Sequence, residues 1–152
     1  MKVNTKVRYG LRTLIELALH SDKAGMFQRE IAENQKLSEK YLDSIISSLK
    51  TSGLVINIGG KKSGYALKKP PSEITIYDIY RTFEPELSLA HCVNKPVTCF
   101  VSRICVANEF WMDLNSEITK YMMKTTLEDI VKKHNKIKQR LDKETKKINH
   151  CL

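Results

Sequence analysis

The sequence predicts a mainly α-helical fold, in which a winged helix-turn-helix domain with a two-stranded wing precedes a long dimerisation helix. Three observations predict this fold. Two short amphipathic segments, residues 28–35 and 38–52, are joined by a tight connector. Two β-rich segments on either side of a glycine- and lysine-rich turn come next. Farther along, apolar residues recur at spacings of three and four from residue 104 to residue 121.

The first helix is predicted over residues 5–20, with Asn4 placed to cap it. Its apolar residues recur every three or four positions and therefore share one buried face, namely Leu11, Leu14, Ile15, Ala18 and Leu19. A brief second helix follows at residues 28–35. Ser38 can cap a third helix that ends before Gly53, because glycine is a common helix stop.

The wing is predicted as a hairpin of residues 54–58 and 65–67, with a basic tip between them. A further helix over residues 74–83 completes a winged helix-turn-helix domain of residues 1–83. Residues 84–102 have no convincing period and contain two prolines and two cysteines, so we expect a cysteine-bearing loop there.

Residues 103–124 are predicted to form the dimerisation helix. Its a/d seam is suited to packing against a second helix and consists of Ile104, Ala107, Trp111, Leu114, Ile118 and Tyr121. Residues 125–152 are predicted as a C-terminal helix with a basic tail, in which only the first two turns pack. Thr125 and Glu128 have the spacing of a capping box at the start of this helix.

Charge favours a polyanionic partner such as nucleic acid. The chain has 26 Lys and Arg against 17 Asp and Glu, a net charge of +9, with the excess at the two ends. The sequence offers no glycine-rich phosphate loop, HExxH motif or nucleophile beside a base, so we expect no enzyme. The absence of a long apolar run or a signal-peptide core predicts a cytoplasmic protein with no membrane partner.

The helix-turn-helix order predicts that the start of the third helix enters the major groove of double-stranded DNA while the wing grips the backbone. Glu39 and Asp43 could accept from a cytosine amino group, or could merely stabilise the helix dipole; both interpretations are open. The candidate DNA contacts are Thr5, Lys6, Tyr9, Gln28, Ser38, Glu39, Lys40, Tyr41, Asp43, Ser44, Lys61 and Lys62.

Cys92, Cys99 and Cys105 form a C-x6-C-x5-C pattern across the irregular loop. Three thiolates suit an iron–sulfur cluster or zinc, but the paired C-x2-C spacing of zinc ribbons is absent. Three unliganded thiols are the alternative, since free cysteine also behaves as a small buried hydrophobe.

Taken together, these segments resemble the family of bacterial winged-helix regulators typified by IscR, NsrR and RirA. The likeness covers about residues 1–135. It rests on a series of segments that occur in the same order as in the family. These segments are residues 6–12, 30–33, Ser38 with 41–42, 53–55, 64–65, Ile79, the three-cysteine loop and 126–130. The resemblance implies a homodimer that binds a pseudo-palindromic promoter site. It also implies that Cys92, Cys99 and Cys105 hold an iron–sulfur cluster.

Two departures from the family pattern stand out. Asn108 occupies the position of the histidine that is the fourth cluster ligand in IscR, which leaves the cluster type open between 2Fe–2S and 4Fe–4S. The other candidates for the fourth ligand are His91, Glu109, solvent and a residue of the partner's first helix. Nitric-oxide-sensing relatives carry a carboxylate at the position of Arg8, and the arginine here cannot bind iron. In the wing, Lys61 and Lys62 replace an arginine, which predicts an altered sequence preference with phosphate affinity kept.

The sequence therefore predicts a homodimeric, sequence-specific transcription regulator whose promoter binding is controlled by an iron–sulfur cluster that senses redox state, nitric oxide or iron. The alternative is a cluster-free winged-helix repressor with thiol- or partner-based regulation.

Overall fold

The computed structural model describes residues 3–20, 25–59, 64–94 and 104–149. Its helices are α1 (Thr5–Leu19), α2 (Gln28–Gln35), α3 (Glu39–Thr51), α4 (Ile76–Phe83), α5 (His91–Asn94), α6 (Val106–Lys124) and α7 (Leu127–Asn149). Strands β1 (Val55–Ile58) and β2 (Gly64–Leu67) pair antiparallel, and a 3-10 turn at Pro71–Glu73 leads into α4. The mainly α-helical winged helix-turn-helix fold is confirmed.

Local sequence signals place the ends of the first three helices. The Asn4 side chain accepts from the Lys6 amide at 2.9 Å, and the Ser38 hydroxyl accepts from the Tyr41 amide at 3.3 Å, so both predicted caps are present. Gly53 has a φ of +73° just past the end of α3, where the Leu54 amide bonds back to the Leu49 carbonyl at 2.9 Å. This arrangement satisfies the last carbonyls of α3 before the chain enters the wing.

The hydrophobic core lies between α1, α2, α3, α4 and the wing. Leu14, Ile31, Leu42, Ile45 and Leu49 are fully buried there. Gly10 allows α1 and α4 to approach closely, because a Cβ atom at this position would overlap the Phe83 ring. The isolated bridge between Met26 and Tyr65 extends the two-stranded sheet toward the segment before α2.

Three element predictions need correction. The interval predicted as a loop contains the short helix α5, which is a single turn and too brief to show a period. The long helix begins at Val106, so Ile104 lies before it and Cys105 is its N-cap residue.

The capping box at the start of α7 is formed by Thr126 and Asp129, not by Thr125 and Glu128. The Asp129 carboxylate accepts from the Thr126 amide at 3.0 Å, and the Asp129 amide donates to the Thr126 hydroxyl at 3.2 Å. The Thr125 hydroxyl instead donates to the Tyr121 carbonyl within α6 at 2.9 Å. The register is fixed by a bridge between Thr75 and Thr126, a pairing distant in sequence that local patterns do not reveal.

Candidate nucleic-acid interface and cysteine site

The first turn of α3 presents polar side chains to solvent on a rigid base. Glu39, Lys40, Asp43 and Ser44 are exposed, whereas Leu42 is fully buried. The Ser44 hydroxyl donates to the Tyr41 carbonyl at 2.8 Å, which orients this side chain along the helix. The predicted reading residues therefore form one exposed surface on a buried core.

Glu39 and Asp43 form no ion pair within the part of the chain that the structure describes, since no described Lys, Arg or His nitrogen lies within 4.0 Å of either carboxylate. Both acids stand on the solvent side of α3. Each is thus available to accept a hydrogen bond from a partner.

Gln28 ties α2, α3 and the wing together. Its amide nitrogen donates to the Glu39 carbonyl at 3.1 Å, and its amide oxygen lies 3.5 Å from the Tyr65 hydroxyl in β2. The Lys50 ammonium stands 5.9 Å from the centre of the Tyr65 ring, near enough for a cation–π contact. Gln28, predicted as a phosphate contact, therefore also sets the position of α3 relative to the wing.

The start of α1 lies beside this surface. Thr5 and Lys6 are exposed, and the half-buried Tyr9 ring packs edge-on against Tyr41 of α3 with centroids 5.9 Å apart. The Asn4 amide also donates to the Glu84 carboxylate at 2.7 Å, which fixes the start of α1 to the end of α4. The N-terminal turn of α1 and the first turn of α3 are thereby held at a fixed spacing.

A partly buried hydrogen-bond network between α1 and α2 was not predicted from the sequence. Arg12 Nε donates to Gln35 Oε1 at 2.7 Å, and Gln35 Nε2 donates to Glu16 Oε2 at 2.9 Å. The Asn34 amide donates to the other Glu16 oxygen at 2.6 Å. The partners are 18 to 23 residues apart, so only the packed helices bring them together. The network holds the first helix of the helix-turn-helix against α1.

The predicted wing-tip contacts Lys61 and Lys62 lie outside the described residues, as does Cys99. The strands that carry the wing tip are described, and they pair from Val55 with Leu67 to Ile58 with Gly64.

The two described cysteines of the predicted cluster site lie on neighbouring elements. Cys92 is in α5, Cys105 precedes α6, α5 packs against α6, and both cysteines are half-buried with free thiols. The Leu89 amide donates to Asn115 Oδ1 at 3.2 Å, which anchors the segment before α5 on α6. Within the described ranges no three His, Cys, Asp or Glu side chains gather as a metal site.

Asn108 is a buried polar residue one turn after Cys105. It is 5% exposed, and its Oδ1 atom has no hydrogen-bond partner among the described residues. An unsatisfied buried carbonyl is costly, so a donor or an electrophilic group beyond the described residues is expected next to it. The two described thiols, on adjacent elements, are the ligand type that an iron–sulfur centre uses, whereas an amide oxygen such as that of Asn108 suits harder cations.

The outer face of α6 is apolar and exposed. Of the predicted seam, Ala107, Trp111, Leu114 and Tyr121 are exposed and Ile118 is half-buried. Ile104 is 82% exposed before the helix begins. The exposed Val106 and Phe110, which were not part of the predicted seam, widen this face, and the Phe110 ring packs edge-on against Trp111 at 5.1 Å. Neighbouring exposed apolar side chains of this kind are typical of an interaction surface.

Comparison with known protein families decides the relationship. Residues 3–133 match the family model Rrf2, described as an iron-dependent transcriptional regulator. The chain belongs to the Rrf2 family. It is thus a transcription regulator of the IscR type, as the sequence motifs predict. Its relatives are named as regulators, which agrees with the expectation that the chain is not an enzyme.

Individual Rrf2 relatives resemble the chain over most of its length. The HTH-type transcriptional regulator CymR of Bacillus subtilis is 35% identical over 130 residues, which are 86% of this chain and 89% of CymR. The IscR structure from T. potens superposes with a TM-score of 0.71 at 30% identity and covers 88% of both chains. The oxidized form of Staphylococcus aureus CymR gives a TM-score of 0.70 at 30% identity over 86% of this chain and 96% of that one.

No described helix of this Rrf2 protein combines the length and the apolar character that crossing a bilayer requires.

Proposed function

We propose that the protein is a homodimeric, sequence-specific regulator that binds a pseudo-palindromic promoter site under the control of an iron–sulfur cluster. The observation that carries the DNA part is the exposed first turn of α3, fixed between the start of α1 and the wing in an Rrf2-family chain. An α-helix presented in this way fits the major groove, and Lys61 and Lys62 of the wing are expected to contact the adjacent backbone.

The specificity residues of this proposal are Glu39, Lys40 and Asp43. Lys40 can donate to a guanine or a phosphate, and either carboxylate can accept from a cytosine amino group. Thr5 and Lys6 at the start of α1 contact phosphates and so fix the register of α3 on the duplex. Replacing Asp43 with Ala is expected to relax the base preference at one position of each half-site, as measured by binding to a library of randomised half-sites.

Dimerisation is proposed through the apolar face of α6. A two-fold arrangement of this face would hide Phe110, Leu114 and Tyr121 from water and would place two copies of α3 about one DNA turn apart. The apolar area exposed on a lone chain supports the dimer, because leaving these side chains in water is unfavourable.

The cluster would be held by Cys92, Cys99 and Cys105, and when bound it would supply a centre that reacts with oxidants, nitric oxide or a shortage of iron. Cys92 and Cys105 are half-buried, so solvent has limited access to their thiols, and limited solvent access protects a cluster bound through them. Cys105 and Asn108 stand at the start of α6, so a cluster held by Cys105 would be attached directly to the proposed dimerisation helix.

The route from the cysteines to the reading surface is continuous packing. α6 packs against α4, and α4 packs against both α1 and α3. A shift at the start of α6 would therefore change the balance between DNA-competent and DNA-incompetent arrangements of the two winged domains.

The test of the cluster is strictly anaerobic purification with iron and acid-labile sulfide counted per chain. We expect a brown protein that becomes colourless in Cys92→Ser and in Cys105→Ser. The matched control is Cys151→Ser, which removes the fourth cysteine of the chain and should leave colour and iron unchanged. Colourless, iron-free wild type that binds its promoter with full affinity would rule out cluster control.

Direct thiol sensing is the second candidate, favoured by the likeness to a CymR structure in an oxidized form. In that case hydrogen peroxide would take two electrons and two protons from two of the thiols, forming a disulfide and two waters. Peroxide treatment of iron-free protein followed by intact mass measurement would show a loss of two hydrogens. Unchanged mass and unchanged DNA binding would exclude this candidate.

The wing has its own test. The slope of log binding constant against log salt concentration is negative, and Lys61→Ala with Lys62→Ala is expected to make it less steep by about 0.9 for each phosphate that the wing no longer neutralises. An unchanged slope would place the wing tip away from the DNA backbone.

A further inference from the structure

The C-terminal part of α7 extends beyond the region shared with the family. The family match ends at residue 133, whereas α7 continues to Asn149. From residue 132 to residue 143 every residue of the helix is exposed. This segment has six Lys and Arg but one acid, Asp142, so it carries five net positive charges (6 − 1).

The positive charges of this segment lie on one side of α7. One residue advances about 100° around a helix, which places five of its bases within a sector of about 100°. They are Lys132, Lys133, Lys136, Arg140 and Lys143, and together we call them the α7 basic face. Leu127 and Val131, which pack into the domain core, lie on the other side of the helix. The basic face therefore points away from the core over three turns.

The acids near the basic face are already engaged. Glu128 pairs with Lys132 at 3.0 Å, and the Asp129 carboxylate accepts from the Thr126 amide and hydroxyl at 3.0 and 2.8 Å. No carboxylate of the described chain lies within 4.0 Å of the Lys133 or Lys136 ammonium group. These lysines are thus available to an external anion.

A groove at the junction of α6 and α7 concentrates the charge. Its volume is about 460 Å³, and it is lined by Lys124 at the end of α6 and by Lys132, Lys133 and Lys136 of α7. Tyr121, Thr125 and the carboxylate-bearing Asp129 also line it. The four ammonium groups of this groove outnumber its one carboxylate, and the net positive charge favours phosphate oxygens.

The start of α7 lies near the segment that follows the wing. The turn at Pro71–Glu73, which connects the wing to α4, packs against α7, and the Thr75–Thr126 bridge joins the start of α4 to the residue before α7. The start of α7 is thus joined to the winged domain by packing and by a backbone bridge, and the basic face continues from it.

We propose that the α7 basic face, together with Lys124, binds the phosphate backbone of duplex DNA outside the segment read by α3. The inference rests on the proposed DNA binding and adds a second, sequence-independent contact surface to it. The 12 residues from 132 to 143 span about 18 Å, along which one strand of duplex presents about five phosphates. A row of lysines neutralises such a strand as point charges, without base readout.

The test measures binding of the full-length dimer to a duplex of scrambled sequence over a range of salt concentrations. The variant Lys133→Gln with Lys136→Gln should make the negative slope of log binding constant against log salt less steep by about 0.9 per lysine, and by the same amount on a promoter fragment. Glutamine is a good helix former, so circular dichroism should report unchanged helix content.

The matched control is Lys120→Gln with Lys138→Gln, which removes the same charge. Lys120 is paired with Glu117 at 2.7 Å on α6, and Lys138 lies on the opposite side of α7 from Lys136, since two residues advance about 200°. The control should retain the wild-type slope. Equal slopes for the two variants would overturn the inference.

Two further outcomes separate the inference from its alternatives. Wild-type binding to phosphatidylserine vesicles that exceeds duplex binding, and that is lost in Lys133→Gln with Lys136→Gln, would assign the basic face to a membrane and overturn it. If the wild type binds no duplex at all, the result contradicts the proposed DNA-binding function, and with it the α7 inference that rests on that function. If it binds duplex with a slope that the α7 variant leaves unchanged, only the α7 inference fails.

Discussion

The winged domain and the two C-terminal helices bury their apolar residues to very different extents. Among the residues that the structure describes, 14 of the 16 buried hydrophobic residues lie between Val7 and Ile79, whereas 10 of the 13 exposed large hydrophobic residues lie between Ile104 and Leu141. The first region closes its own core. The second leaves an apolar face of α6 exposed to water, which is typical of an interaction surface.

This difference separates the side chains that stabilise a single folded chain from those that stabilise its association with a partner. A fully buried side chain in the winged domain contributes to the free energy of unfolding of one chain, while an exposed one on α6 contributes only when a partner covers it. Mutations in the two regions should therefore separate into effects on folding and effects on association.

The largest effect is expected from a truncation in the core of the winged domain. Ile45 is 0% exposed, and Ile45→Ala should lower the free energy of unfolding by about 2–5 kcal/mol because it leaves a cavity. Ile137, which is 57% exposed on α7, is the matched control, and Ile137→Ala should change this free energy by no more than about 0.5 kcal/mol. Urea unfolding at fixed protein concentration measures both, and similar losses would erase the contrast between the regions.

The second effect concerns association. Phe110→Ser with Leu114→Ser should weaken the dimer by about 2–4 kcal/mol, which is roughly 30- to 800-fold in the dissociation constant, because both side chains lie on the exposed apolar face of α6. Sedimentation equilibrium measures the change. Met123→Ser alters an exposed side chain elsewhere on α6 and should leave the dimer intact. A dimer unaffected by the double substitution would exclude this face as the interface.

The third prediction tests how closely α4 packs against α1 in the winged domain. α4 is also the helix against which α6 packs. Gly10→Ala places a methyl group into the Phe83 ring and should cost about 1–3 kcal/mol of unfolding free energy, despite the better helix propensity of alanine. Phe83→Leu in the same chain should recover part of this loss, with Phe83→Leu alone as the control. If Gly10→Ala stabilises the protein, α1 and α4 do not approach this closely.

The sequence predicts the winged domain well because its signals are local. Asn4 and Ser38 are placed as caps, the interval from Gln28 to Gln35 is found in full, and Gly53 marks the end of α3, each from a few neighbouring residues. The exposed residues at the start of α3 follow from the same signals.

Features set by distant residues could not be predicted. The Arg12–Gln35–Glu16 network joins residues on two helices, and the buried, unsatisfied Asn108 Oδ1 depends on how α6 packs. Either Thr125 with Glu128 or Thr126 with Asp129 satisfies the capping-box spacing, and only the bridge to Thr75 selects the second pair. The exposed Phe110 was not predicted as part of the α6 face, because a strict a/d pattern covers a narrower strip of the helix than the face that is exposed.

The fourth prediction tests that choice of cap at the boundary between the two regions. Thr126→Ala removes the hydroxyl that accepts from the Asp129 amide and should cost about 1 kcal/mol of unfolding free energy. Thr125→Ala is the control, since its hydroxyl only donates to a carbonyl within α6, and it should cost less. Thermal unfolding of both variants measures the difference, and a larger loss in Thr125→Ala would restore the capping box expected from the sequence.

The smallest effect is a pH dependence of the same cap. Backbone and side-chain hydrogen bonds from Thr126, followed by the nearby Lys132 and Lys133, lower the pKa of Asp129 below its ordinary value of 3.8. A carboxyl whose pKa is lower in the folded state stabilises the fold above the unfolded pKa, and this contribution is lost as the pH falls through the folded pKa. The difference in unfolding free energy between wild type and Asp129→Asn should thus be constant near neutral pH and shrink below about pH 4. A difference that persists unchanged into acid would mean that the charge on Asp129 does not contribute to the stability of this cap.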